Sequence, residues 1–147
     1  MESIKDFMKG WPGKKAMVPI SINYINDVEQ ALDIVLPRSY KYLLEAYGLL
    51  RTANVFTATI DLSVDINEVQ DFLSLDDVVS LSKLYELTGM PKGHILFASD
   101  SKGNMFCFKQ DECIAGKNDI SVWLYQRDDC SVKKVADTFS DWLNLLS

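Results

Sequence analysis

The chain has 147 residues, 48% of them apolar, 24% charged and 11% aromatic, with a formal charge of −6. That length can bury one hydrophobic core without disulfides or metals, and the composition excludes collagen-like, coiled-coil and disordered chains. An acidic balance argues against nucleic acid as the main ligand, since phosphate binding requires clustered Lys and Arg. The acidity is local: residues 52–100 hold 2 basic and 8 acidic side chains, which equals the whole net charge.

In chain order, residues 1–24 are mixed. Phe7, Met8 and Trp11 are apolar, and Trp11-Pro12-Gly13-Lys14-Lys15 reads as a loop because Pro and Gly break helices. Asn26 and Glu29 form a capping-box variant that predicts a helix start, followed by Val28, Ala31, Leu32 and Val35 in one apolar stripe. Pro37 suits the first position of a second helix, which carries Tyr40, Leu43, Leu44 and Tyr47. Gly48 follows where a left-handed cap is commonest. The β-branched run Val55–Ile60 predicts a strand, and Asp61 to Asp71 alternates acids with Leu62, Val64, Ile66 and Val69.

Ser74 and Asp77 make a second capping box, opening a helix with Val78, Leu81, Leu84 and Tyr85 that Gly89 and Pro91 close. Ile95–Ala98 and Asn104–Lys109 flank a turn at 99–103 and predict a hairpin. A loop from Gln110 to Asp119 leads to the strand Ile120–Tyr125, a turn at Arg127–Cys130 and the short strand Ser131–Val135. Thr138 and Asp141 cap a last helix lined by Phe139, Trp142, Leu143 and Leu146. Adjacent strands joined by short turns imply antiparallel pairing. The expected fold is therefore α+β, a single domain over 1–147. It has one largely antiparallel sheet with an N-terminal helix pair, a central helix and a C-terminal helix.

Charge interrupts every apolar run at the N-terminus, and no stretch of about 18 apolar residues occurs. A cytoplasmic chain with no membrane span is expected. Cys107, Cys113 and Cys130 lack a C-x-x-C pair, and with His94 as the single histidine they offer no regular metal spacing. They read as buried or half-buried thiols, and no metal or cofactor is expected.

Nucleotide, zinc-protease and nucleophile-elbow motifs are missing. His94, in Pro91-Lys-Gly-His-Ile-Leu, has no serine or cysteine motif beside it, so a structural histidine is expected and a hydrolase is the weakest reading. The pairs Asp76/Asp77, Asp111/Glu112 and Asp128/Asp129 suit helix starts and turn tips. Asp61, Asp65 and Asp71 lack the glycine of a calcium loop. Alternation in 120–125 sends Ile120, Val122 and Leu124 into the core and Ser121, Trp123 and Tyr125 to the opposite face. Trp123 and Tyr125 are anchors for a partner if no helix covers that face.

Ile25 to Gly48 resembles the opening signature of the SUKH superfamily of Smi/Knr-like proteins, in which an acidic amphipathic helix precedes Leu-Pro-x-x-Tyr-x-x-Phe-Leu and a glycine. Leu36, Pro37, Tyr40, Leu44 and Gly48 fall in register, with Leu43 at the usual phenylalanine and Leu49 where a second glycine or an Asn-Gly pair is common. Leu73–Val78 is similar to the family's strand-to-helix step, and Ile95–Asp100 with Gly103 and Phe106–Phe108 to its central hairpin. Val122–Tyr125 and Thr138–Leu143 are similar to its last strand and closing helix. The resemblance covers about residues 25–146.

It implies a non-enzymatic protein-binding domain: an immunity protein that occludes a cognate toxin or, alternatively, a regulatory scaffold linked to cell-wall synthesis. Many such toxins are nucleases and hence basic, so an acidic partner gains electrostatic steering. On that basis Asp61, Asp65, Glu68, Asp71, Asp100, Asp128 and Asp129 are expected to supply charge, and Trp123 and Tyr125 to supply apolar anchors.

Overall fold

The computed structural model describes residues 2–10, 17–49, 69–100 and 102–145. The expected loop at 11–15, the strand at 55–60, Leu146 and the acids Asp61, Asp65 and Glu68 lie outside them. Among the described residues the helices are α1 (Glu2–Lys9), α2 (Ile22–Leu32), α3 (Arg38–Ala46), α4 (Leu75–Leu87) and α5 (Phe139–Asn144). The strands are β1 (Val69–Phe72), β2 (His94–Asp100), β3 (Met105–Lys109), β4 (Val122–Gln126) and β5 (Ser131–Ala136). All neighbours pair antiparallel in sequence order, β1-β2-β3-β4-β5, so the sheet is a meander within an α+β fold.

Local chemistry accounts for most element ends. Ser74 Oγ accepts from Asp77 N at 3.2 Å and Thr138 Oγ1 from Asp141 N at 3.0 Å, so both S/T-x-x-D boxes act as helix N-caps. The first helix of the pair differs from its expected start. It begins four residues earlier, at Ile22, where Ser21 Oγ accepts from Asn23 N. Asn26 lies one turn inside α2. Glu29 turns away from the helix start, and its Oε2 accepts from Leu36 N at 2.7 Å and from Lys41 Nζ at 3.1 Å. Pro37 caps α3 from outside, without a side-chain bond.

The N–H groups of Arg38 and Ser39 donate instead to the carbonyls of Lys117 and Asn118, at 3.2 and 2.9 Å. Asp119 continues the clasp. Its carboxylate accepts from Ser39 Oγ (2.8 Å), Phe139 N (2.8 Å), Ser140 N (3.3 Å) and Ser140 Oγ (2.6 Å). One loop thus satisfies orphan donors at the starts of both α3 and α5.

The core forms where these helices meet the sheet. Tyr40 of α3 is fully buried with its ring centroid 5.3–5.8 Å from Phe97, Phe108 and Phe139. Phe97, at a bulge in β2, stacks on Phe108 at 4.2 Å and meets Trp142 edge-on at 5.1 Å. Such ring pairs contribute about 0.5–1.5 kcal/mol each beyond the area they bury. Helix α1, which the mixed N-terminal pattern did not anticipate, adds Ile4, Phe7 and Met8 to the same core and packs on α5.

Helix α4 runs against β2. Ser82 Oγ accepts from Leu96 N at 2.9 Å and Glu86 Oε2 from Gly93 N at 3.2 Å, so α4 completes backbone bonding at the start of that strand. Its Tyr85 meets Tyr125 of β4 edge-on at 6.0 Å. Helices therefore reach both faces of β4, and the face of Ser121, Trp123 and Tyr125 is not the open one that would present two anchors.

Candidate functional site

Among the described residues, the acids singled out from sequence are not all free charge. Asp100 is 5% exposed, and its carboxylate accepts from Lys102 N and Asn104 N, both at 2.8 Å, and from Asn104 Nδ2. It closes its own hairpin. Asp129 Oδ1 accepts from Ser131 N and Oγ, which holds its carboxyl below the usual range and shapes the β4–β5 turn. Asp128 is exposed on that turn and has no ion-pair or hydrogen-bond partner among the described residues. Asp71 lies in β1 opposite Ser99.

Asp100, Asp128 and Asp129 do share one end of the sheet. Asn104 Oδ1 accepts from Arg127 N at 3.1 Å and ties the hairpin turn to the β4–β5 turn. Val69, where β1 enters, pairs with Asp100. Lys102 and Arg127 are exposed at the same end, so the charge there is mixed. Elsewhere in the middle third, Tyr24 Oη hydrogen-bonds to Asp76 at the start of α4, and Glu86 holds Gly93 N.

The two aromatic candidates separate. Tyr125 is 3% exposed under Tyr85, so it serves as packing against α4. Trp123 is half-buried and held in place: its Nε1 donates to Ser121 Oγ at 2.8 Å, and Ser121 Oγ and N donate to the two oxygens of Glu112. The Lys109 ammonium sits 3.9 Å from its ring centroid.

His94 is buried, with Nδ1 3.0 Å from the Pro91 carbonyl oxygen and Nε2 without a partner among the described residues. A carbonyl only accepts, so Nδ1 carries the proton and the imidazole is fixed in one tautomer. Cys107 and Cys113 are buried, whereas Cys130 is exposed, a departure from the half-buried thiols expected. Among the described residues no three His, Cys, Asp or Glu side chains converge as metal ligands, and no helix is long and apolar enough to cross a membrane.

A concavity lies elsewhere among the described residues. An open groove of about 550 Å³ runs between the C-terminal end of α2 and the loop after β3, lined by Glu29, Asp33, Ile34, Val35, Cys113 and Ile114 among others. Val35 N donates to Cys113 O at 3.0 Å and fixes the two walls together. The lining residues are some 80 positions apart, so no local spacing could have revealed them. One signal was available: an aspartate closes α2 where glycine or asparagine is usual.

The family model described as SMI1 / KNR4 family (SUKH-1) matches residues 19–145. The chain belongs to this family. A search of curated proteins found no match. In this SMI1 / KNR4 domain the motif residues act as structure. Leu36, Tyr40, Leu43 and Leu44 are buried in the core, and Pro37 lets the 117–118 carbonyls cap α3. Gly48 has a φ of +113°, and a Cβ there would meet the Val18 carbonyl oxygen at 2.2 Å. The signature thus specifies the helix pair and the segment that crosses it, and leaves the surface free to vary.

Proposed function

We propose that this chain is a non-catalytic, cytoplasmic immunity protein that neutralises a cognate, basic protein toxin by occupying its working surface. Membership of the SMI1 / KNR4 family over residues 19–145 carries the reading. The net charge of −6 supports it, because a nuclease must be basic to hold phosphate and an acidic binder associates faster with such a surface. The state of His94 points the same way. With Nδ1 tied to a backbone carbonyl and the ring buried, it is badly placed to exchange protons with a substrate.

A regulatory scaffold of the cell-wall type, which the family resemblance also implies, is the second reading. Co-production with the C-terminal domain of the protein encoded beside this chain distinguishes the two. An immunity protein forms a stoichiometric complex with that domain and restores growth of cells expressing it. Charge reversal at Asp65, Glu68 and Asp128 then slows association and flattens its salt dependence. A chain that neither binds the domain nor protects the cells is not an immunity protein for it.

A further inference from the structure

We infer that the groove between the end of α2 and the loop after β3 is a docking site for an arginine or lysine side chain of a protein partner. The aliphatic stem lies along Ile34, Val35 and Ile114, and the cationic head meets Asp33. The inference rests on the protein-binding reading above and names a surface for it. Asp33 is the C-cap of α2 in the left-handed region, with φ 54° and ψ 51°, a conformation that aspartate adopts less readily than glycine or asparagine. Its carboxylate also lies at the negative end of the helix dipole, and the last turn of α2 contains no basic residue. It is exposed and has no ion-pair or hydrogen-bond partner among the described residues. An incoming cation would meet both the carboxylate and the helix-end carbonyls.

The remaining lining fits a basic side chain with a long stem. Glu29 is already neutralised by Lys41 and held by Leu36 N, so it stays in place as part of the wall. Ile114 is 51% exposed, a suitable surface for methylenes. Cys113 forms part of the lining. It is 3% exposed, its thiol has no hydrogen-bond partner among the described residues, and burial together with Glu112, Asp111 and Glu29 pushes it up to about 12. The lining residues include no Lys or Arg to oppose Asp33. The walls are also preformed, since Val35 N and the starts of α3 and α5 are all bonded to the same loop, which lowers the ordering cost of binding.

The test separates this surface from the fold and from the functional reading. Isotope-labelled chain is titrated with an acetylated, amidated peptide carrying two arginines among leucines, and with the same peptide carrying glutamine at both positions. The arginine peptide should shift amides at 29–36 and 111–115 saturably, and the glutamine peptide should not. Asp33→Asn should raise or preserve the melting temperature, because asparagine suits the left-handed cap, yet weaken the arginine peptide about three- to tenfold. Equal binding of both peptides, shifts confined to another face, or an unchanged affinity in Asp33→Asn would overturn the inference. With the toxin domain as probe, capture undiminished by Asp33→Asn with Ile114→Ser removes the groove and leaves the immunity reading standing. No capture by the wild-type chain removes the immunity reading, and the peptide titration then decides the groove by itself.

Discussion

Gly48 shows how a motif residue can have a reason that its own neighbourhood in sequence does not reveal. A glycine after a helical stripe implies a left-handed cap, and φ is indeed +113°. The stronger constraint is the 17–20 segment, whose Val18 carbonyl passes within 2.2 Å of a would-be Cβ while Ile20 N donates to Leu44 O at 2.9 Å. Gly48→Ala must therefore move backbone as well as adopt a strained φ, and should cost at least about 2 kcal/mol in urea unfolding. Alanine at Gly116, where φ is +87° and nothing lies within 4 Å, should cost less. Tyr40 presents the opposite case. Its ring sits among Phe97, Phe108 and Phe139, yet its hydroxyl is buried with no hydrogen-bond partner among the described residues. A buried polar group left unpaired costs about 1–3 kcal/mol, so Tyr40→Phe should leave stability unchanged or raise it. A loss above about 1 kcal/mol on that substitution would mean that the hydroxyl has a partner in solution.

Elements were legible where a cap and its helix lie within four residues. The boxes at Ser74/Asp77 and Thr138/Asp141 work as their spacing implies. At Asn26/Glu29 the same pattern misleads, because the chain reverses at Asp33 and brings Leu36 N and Lys41 to Glu29, stronger partners than a distant helix amide. Ser21→Ala should therefore cost about 0.5–2 kcal/mol, whereas Asn26→Ala should be near neutral or slightly favourable through helix propensity; thermal melts of the two variants check the order. Helix α1 has eight residues and would be marginal alone, so its existence depends on Ile4, Phe7 and Met8 finding the core, a tertiary effect. The 110–119 loop has the sequence of a plain connector, yet it caps two helices from residues about 80 positions and 20 positions away. The alternation in β4 placed Val122 and Leu124 inside correctly, and the arrival of α4 over Tyr125 could not be read from that strand.

At the scale of the whole molecule, the same non-local logic governs charge. The acidity concentrated in residues 52–100 suggested one field, but Asp100 and Glu86 accept backbone hydrogen bonds and Asp76 receives the Tyr24 hydroxyl. Carboxylates placed by turn and cap chemistry are only partly available to a partner, whereas the side chains of Asp128 and Asp33 have no ion-pair or hydrogen-bond partner among the described residues. Buried acids of another kind set the molecule's response to alkali. Burial pushes the Cys107 and Cys113 thiols from 9.0 up to about 12, and it raises the Tyr40 phenol above its ordinary 10.0. Above about pH 9 the unfolded chain releases thiol protons that the native chain retains, so the native state binds more protons and stability falls as pH rises. Each group contributes a slope of up to about 1.4 kcal/mol per pH unit once its unfolded form has ionised. The two thiols act from about pH 9 and Tyr40 from about pH 10, all in the same direction. Urea midpoints should thus be flat from neutral pH to about 8.5, then fall steeply through pH 9 to 11. Replacing both Cys107 and Cys113 by alanine should delay that fall by about one pH unit relative to its own neutral midpoint, leaving the raised phenols of Tyr40 and Tyr125 to act from about pH 10. Ultraviolet thiolate absorbance of a Cys130→Ser variant gives an independent check: the thiolates of Cys107 and Cys113 should not appear until the midpoint shifts. Two thiolates appearing near pH 9 with the fold intact would show that the two inner cysteines are open to water.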